Sequence, residues 1–267
     1  SVEAEAFGAE VRFSSTEVPT VVGALLTDID LAKKLKIPKI GEKRTKIYLD
    51  TVEKVKKMVT NRPVFAGITG PFTLAGRLMD MTEIMVNCYL DPEFVHLTLE
   101  KMVDFLIPYI LEYKKRGANG IVIAEPAAGL LSPKLCEEFS SKYIKRIKEA
   151  VDDDDFIFIY HNCGNVKPLL QSIFTIGADA YHFGNATDMV GALSASPKDV
   201  LIMGNIHPVY EFDKGTPDSM KKAVISLLDS CNQYDNFVIS SGCDIPAQSK
   251  LENIDAYFKE VTSYYQK

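Results

Sequence analysis

Phe156-Ile157-Phe158-Ile159-Tyr160-His161-Asn162-Cys163 is an apolar run that ends on an imidazole and a thiol. A short run that is apolar at consecutive positions reads as a strand buried on both faces, as in a parallel sheet covered by helices. Val64–Ile68, Gly120–Ala124, Ala180–Phe183, Val200–Met203 and Phe237–Ser241 are strand-like in the same way. Helix-like stretches lie among them: Glu93–Arg116 after Asp91-Pro92, Ser132–Ala150, Val166–Ile176, Pro217–Cys231 and Leu251–Tyr264. This alternation predicts βα units with crossover helices. A further strand at Ala9–Phe13, ahead of the helix-like stretch Gly41–Thr60, brings the count to seven. A closed (β/α)8 barrel needs eight. An open Rossmann-type sheet would show a G-x-G-x-x-G phosphate turn after its first strand, and the chain has none. Ser1 stands where a start methionine is expected. The expectation is an α/β fold, a (β/α)8 TIM barrel lacking its N-terminal strand/helix unit, with residues 1–267 as one incomplete domain.

Composition narrows the function classes. The chain has 267 residues, 46% of them hydrophobic, enough for one sizeable core. Its net charge of −6, from 30 basic and 36 acidic side chains, argues against nucleic acid, which calls for a basic face. The run Asp152–Asp155 reads as a solvated helix-to-strand connection. No apolar stretch approaches the roughly 20 residues of a membrane span, and no secretory apolar region opens the chain. Five scattered cysteines do not make a disulfide framework; a cytoplasmic location is expected, where thiols stay reduced.

His161 and Cys163 are two apart, so on an extended chain their side chains start on the same side. Cys243 follows another strand-like run, Phe237–Ser241. An imidazole and two thiols at strand ends have the composition of a zinc site with an open fourth position. Two thiolates and an imidazole favour zinc over the oxygen-seeking magnesium and calcium. Cys163 and Cys243 are each flanked by glycine in a turn, where core packing is poor. Cys88, Cys136 and Cys231 lie among apolar neighbours in helix-like stretches and read as core residues. Zinc held by two thiolates and a neutral histidine is formally uncharged. A substrate thiol bound there as thiolate keeps electron density on sulfur, which suits attack on a carbon electrophile.

Several segments resemble a known family. They are Ala66-Gly67-Ile68-Thr69-Gly70-Pro71-Phe72-Thr73-Leu74-Ala75, Ala124-Glu125-Pro126-Ala127, Tyr160-His161-Asn162-Cys163-Gly164-Asn165, Met203-Gly204-Asn205-Ile206-His207-Pro208 and Ser241-Gly242-Cys243-Asp244-Ile245-Pro246. In this order they resemble the uroporphyrinogen decarboxylase superfamily of TIM barrels, and within it the zinc-dependent methylcobamide:coenzyme M methyltransferases. The glycine-proline and Gly-Asn-x-x-Pro turns are common to the superfamily. The His-x-Cys pair and the late Cys belong to the methyltransferase branch, where they are the zinc ligands. The resemblance implies an enzyme that moves a methyl group from a methylcobamide, carried on a small corrinoid protein, to a thiol such as coenzyme M. Members of the family begin with a further helical segment and first strand, so an incomplete chain is expected to lack any substrate contacts carried there.

Other residues are open to two readings. Glu125 is a pocket carboxylate that accepts the thiol proton, or a cap on the following loop. Asn185 and Asn205 offer side-chain donors to a sulfonate, alongside backbone amides near Gly70-Pro71-Phe72 or Gly184-Asn185-Ala186-Thr187; each equally suits a turn. His182 reads as a satisfied structural histidine and His207 as loop chemistry, with Tyr181 and Phe183 facing the helical shell. Competing functions are a uroporphyrinogen decarboxylase-like enzyme, which has no need of zinc thiolates, and a non-catalytic corrinoid- or metal-binding subunit.

Overall fold

The computed structural model describes residues 1–14 and 18–266. Its strands are β1 (Glu10–Arg12), β2 (Thr20–Val22), β3 (Phe65–Thr69), β4 (Gly120–Ala124), β5 (Ile157–Asn162), β6 (Ala180–Phe183), β7 (Leu201–Ile206) and β8 (Phe237–Ser241). β3 to β8 form a six-stranded sheet in which each strand pairs in parallel with the next in sequence. Parallel strands need crossovers of one hand. With no reversal of strand order, every helix therefore falls on the same side and the sheet curls with its other face inward. A doubly wound sheet reverses order and covers both faces. This is the winding of a TIM barrel.

The strand at Ala9–Phe13 is present as β1 but is not a barrel strand. It pairs antiparallel with β2 in a separate two-stranded hairpin. The side chains of Glu10 and Arg12 are exposed and Val11 only half-buried, so β1 has no apolar face with which to enter the barrel wall. Among the described residues there are thus six parallel βα strands rather than seven.

Register decides which side chains face inward. His161 lies beside His182, with Tyr160 beside Tyr181. Tyr181 packs edge-on against Phe174, 5.0 Å between ring centroids, in the helix Leu170–Phe174. The tyrosine row therefore faces the helices. Alternation along a strand sends the next row inward: Ala124, His161, His182 and Met203 are consecutive neighbours in it.

The remaining cysteines behave as small apolar groups. Cys88, Cys136 and Cys231 are buried, and burial pushes the Cys88 thiol up to about 12 and that of Cys231 up to about 11. Cys88→Ala should leave any bound metal unchanged, as checked by elemental analysis, because this thiol belongs to no ligand cluster among the described residues. The acidic run is tied into the surface by ion pairs, Lys114 to Asp153 at 2.8 Å and Lys148 to Asp152. No helix among the described residues is long and apolar enough to cross a membrane.

Candidate metal centre

β5 runs two residues beyond the apolar stretch, because His161 and Asn162 still pair with His182 and Phe183 of β6. Asn162 is fully buried and points away from the barrel interior. Its amide nitrogen donates to the Glu125 carbonyl at 2.9 Å and to the Tyr160 hydroxyl at 3.0 Å, while its Oδ1 accepts from the Gly164 N–H at 2.8 Å. With the middle residue held on one side, His161 and Cys163 share the other.

Two glycines let the loop after β8 close on this pair. A Cβ on Gly184 would come within 2.6 Å of the Cys163 Cα, and a Cβ on Gly242 within 2.5 Å of the Asn185 nitrogen. Larger residues at either position would wedge apart the loops after β5, β6 and β8. Close packing brings the ligand atoms of His161, Cys163 and Cys243 within 4.8 Å of one another.

The Cys243 Sγ to His161 Nε2 distance is 3.6 Å. In a tetrahedral zinc site with Zn–S about 2.3 Å and Zn–N about 2.05 Å, a sulfur and a nitrogen are roughly 3.6 Å apart. The other separations, at most 4.8 Å, need shorten by no more than about 1.2 Å to match such bond lengths. The imidazole also presents the correct atom. His161 Nδ1 lies 3.1 Å from the His182 carbonyl, which can only accept, so Nδ1 carries the proton and the Nε2 lone pair faces Cys243. The donor set therefore fits zinc.

Electrostatics separates the two thiols. The Cys163 thiol is lowered to about 7, chiefly by a hydrogen bond from Cys243, against burial and the nearby Asp244 carboxylate. Cys243 is raised to about 12, first because its proton is held by Cys163. Of the two, Cys163 is the thiol that ionises more readily. Both residues are half-buried.

The other residues singled out in the sequence fall in different places. Glu125 is fully buried and its carboxylate faces the helix Pro71–Met79, accepting from the Phe72 N–H at 2.9 Å, the Thr73 N–H at 2.6 Å and the Thr73 hydroxyl. Its capping use is the one realised, but on a helix more than fifty residues earlier rather than on the loop that follows. No oxygen of it is open to a substrate thiol. The Asn205 side chain donates to the Gly184 and Thr187 carbonyls at 3.0 and 2.7 Å, fixing the turn after β6. Asn185 is exposed beside Gly242. His207 caps the helical turn Pro208–Asp213, its Nδ1 accepting from the Val209 and Tyr210 N–H groups, each at 3.2 Å.

Comparison with known proteins agrees with this architecture. The family model described as Uroporphyrinogen decarboxylase (URO-D) matches residues 1–264. The chain is 24% identical over 268 residues to methylcobamide:CoM methyltransferase MtbA of Methanosarcina acetivorans, covering 99% of this chain and 77% of that one. It is 25% identical over 275 residues to uroporphyrinogen decarboxylase of Hydrogenovibrio crunogenus, covering 97% and 75%. Among solved structures, a methyltransferase from Methanosarcina mazei superposes with a TM-score of 0.89 at 22% identity, covering 99% of this chain and 78% of the other. A B12-independent methionine synthase from Shewanella superposes at 0.61 with 16% identity, covering 93% and 72%. These likenesses give the same fold, and the match over nearly the whole length places the chain in the uroporphyrinogen decarboxylase family.

Proposed function

We propose that this chain is a zinc-dependent methyltransferase that moves a methyl group from a methylated corrinoid, carried on a partner protein, to a small thiol such as coenzyme M. The observation that carries this reading is the cluster of one imidazole and two thiols, with all ligand atoms within 4.8 Å, at the mouth end of the strands. That is the end where TIM-barrel enzymes keep their reactive groups. The similarity to relatives named as methylcobamide:CoM methyltransferases points the same way. Relatives named as decarboxylases are equally similar by identity, so identity does not choose between them. The thiol cluster supports the methyltransferase reading, because decarboxylation of a porphyrinogen makes no use of a thiolate-held metal.

Bound zinc supplies the Lewis acidity that holds an acceptor thiol as thiolate at neutral pH. His161 Nε2, Cys163 Sγ and Cys243 Sγ are the three protein donors. Cys163 and Cys243, as thiolates, would cancel the charge of a divalent zinc and so leave the acceptor sulfur its nucleophilic electron density. Cys163 and Cys243 are half-buried, which leaves a side of the cluster open for that sulfur. Asn185, exposed next to the Cys243 loop, is placed to meet the tail of the thiol. Glu125 is sealed from the mouth, so the acceptor's proton passes to solvent. Transfer would balance as one sulfur–carbon bond made for one carbon–cobalt bond broken, with the electron pair of the broken bond left to the corrinoid. A thioether is a far weaker donor than a thiolate, so the product would leave the cluster.

Elemental analysis should find one zinc per chain. X-ray absorption at the zinc edge should show one nitrogen and two sulfurs from protein, with a third sulfur on thiol addition. Thiol-dependent demethylation of methylcobalamin should accompany it. Zinc-loaded protein that gains no sulfur and demethylates nothing in the presence of thiol would reject the proposal.

A further inference from the structure

His182, a residue of β6 that carries no ligand atom of the cluster, contacts both halves of it. Its backbone carbonyl accepts from His161 Nδ1 at 3.1 Å and so fixes which nitrogen of that ring is left for a metal. Its own Nε2 lies 2.6 Å from the Ser241 carbonyl and 3.0 Å from the Ser240 hydroxyl. A carbonyl oxygen can only accept, so the His182 ring is the Nε2–H form. Ser241 continues the connection, its hydroxyl donating to the Cys243 carbonyl at 2.8 Å. The two imidazoles pack against each other in a tilted pair, 4.6 Å between centroids and 32° between planes.

β5 and β8 are separated in the sheet by β6 and β7. His182 crosses that gap from the inside of the barrel. Its N–H holds the end of β8, from which the Cys243 loop departs. Its carbonyl and ring face hold His161 on β5. The carbonyl is offered by any residue at this position, whereas the Nε2–H bond to β8 belongs to the histidine side chain.

We propose that His182 is a positioning residue for the metal centre: its Nε2–H to the Ser241 carbonyl sets the Cys243 loop at metal-binding distance from His161. The inference rests on the zinc reading above. Two substitutions separate the hydrogen bond from the ring. His182→Phe keeps a stacking ring and loses the donor. His182→Gln loses the ring and keeps an N–H near the Nε2 position. The readouts are Co2+ and Zn2+ affinity by chelator competition, and the visible spectrum of the Co2+-loaded protein.

His182→Phe should bind both ions about 10- to 100-fold more weakly, the usual cost of removing an outer partner of a metal ligand. Its cobalt bands and thiolate-to-cobalt charge-transfer absorption should shift. His182→Gln should recover wild-type affinity to within about threefold and restore the spectrum, since the lost interaction is the one it replaces. Wild-type affinity and spectrum in His182→Phe, or a His182→Gln as impaired as His182→Phe, would overturn the proposal. Should His182→Phe fail to fold, histidine 15N resonances of the unsubstituted metal-free protein decide the matter. An Nε2–H form of His182 with an Nδ1–H form of His161 supports it; the reverse pair overturns it. Unsubstituted protein that binds neither ion would instead bring down the zinc reading, and this inference with it.

Discussion

Cys243→Ala should bind zinc at least about 100-fold more weakly than the wild type and lose thiol-dependent methyl transfer altogether. Loss of an outer partner of a metal ligand alone costs 10- to 100-fold, and this substitution removes a donor atom. It leaves one imidazole and one thiol, too few to hold zinc against water or buffer. The fold should be spared, because Cys243 is half-buried in a loop beyond β8 and surface substitutions away from special features usually stay within about 0.5 kcal/mol. Melting without metal should therefore match the wild type. The stabilisation that zinc gives the wild type should vanish; ligand at 100 times its dissociation constant contributes about 2.7 kcal/mol. Calorimetry with and without zinc measures both. An alanine variant that kept its zinc-dependent stabilisation and its transfer activity would remove Cys243 from the site.

Much of the fold and the site is legible in the sequence, and the exceptions share a cause. Strands β3 to β8 show as apolar runs because both of their faces are covered. The long helix Pro92–Lys115 announces its start with Asp91-Pro92, and Asp91 does accept the Phe94 N–H at 3.1 Å. The helix Pro71–Met79 gives no such signal. Every residue in it but Arg77 is buried, and a helix covered all round has no polar face to give the pattern a period. Asp80, in the left-handed region at φ 77°, then turns the chain into a second helix, Met81–Leu90. β1 is legible as a strand, but the partner it takes lies in β2, and nothing within its own pattern reveals that. The same division holds at the site. His161, Cys163 and Cys243 are recognisable by what their atoms can do. Asn162, His182 and Glu125 act through hydrogen bonds to residues remote along the chain, and residue type alone does not say which bonds form.

Glu125 carries the second large expected effect, on stability rather than on metal. The helix Pro71–Met79 begins with two residues that cannot help it: Gly70 at the cap has no side chain, and Pro71 has no N–H to satisfy. The next two N–H groups, on Phe72 and Thr73, donate to the Glu125 carboxylate. A Cβ on Gly70 would lie 2.6 Å from Glu125 Oε2, so the glycine makes room for the cap. Glu125→Ala leaves these donors buried and unpartnered, at about 1–3 kcal/mol each. A loss of about 3 kcal/mol in total is expected, read as a lower urea midpoint, with one zinc per chain retained because no ligand is touched.

The pH dependence gives a sharper test of the same carboxylate. Burial is the largest influence on Glu125 and raises it from 4.5 to about 7, against the lowering effect of its bonds from Thr73 and Phe72. The folded chain therefore holds a proton here that the unfolded chain has already released. Stability from this group is fully present below pH 4.5 and is lost as pH rises toward 7 and beyond. The loss is on the order of 3 kcal/mol across that window. Glu125→Gln has no such proton to lose. The stability difference between wild type and Glu125→Gln, from urea unfolding at pH 5 and pH 8, should shift against the wild type at the higher pH. Other carboxylates titrate alike in both proteins and cancel. A difference that stayed constant between the two conditions would show that Glu125 is ionised throughout, with its bonds to the helix outweighing its burial.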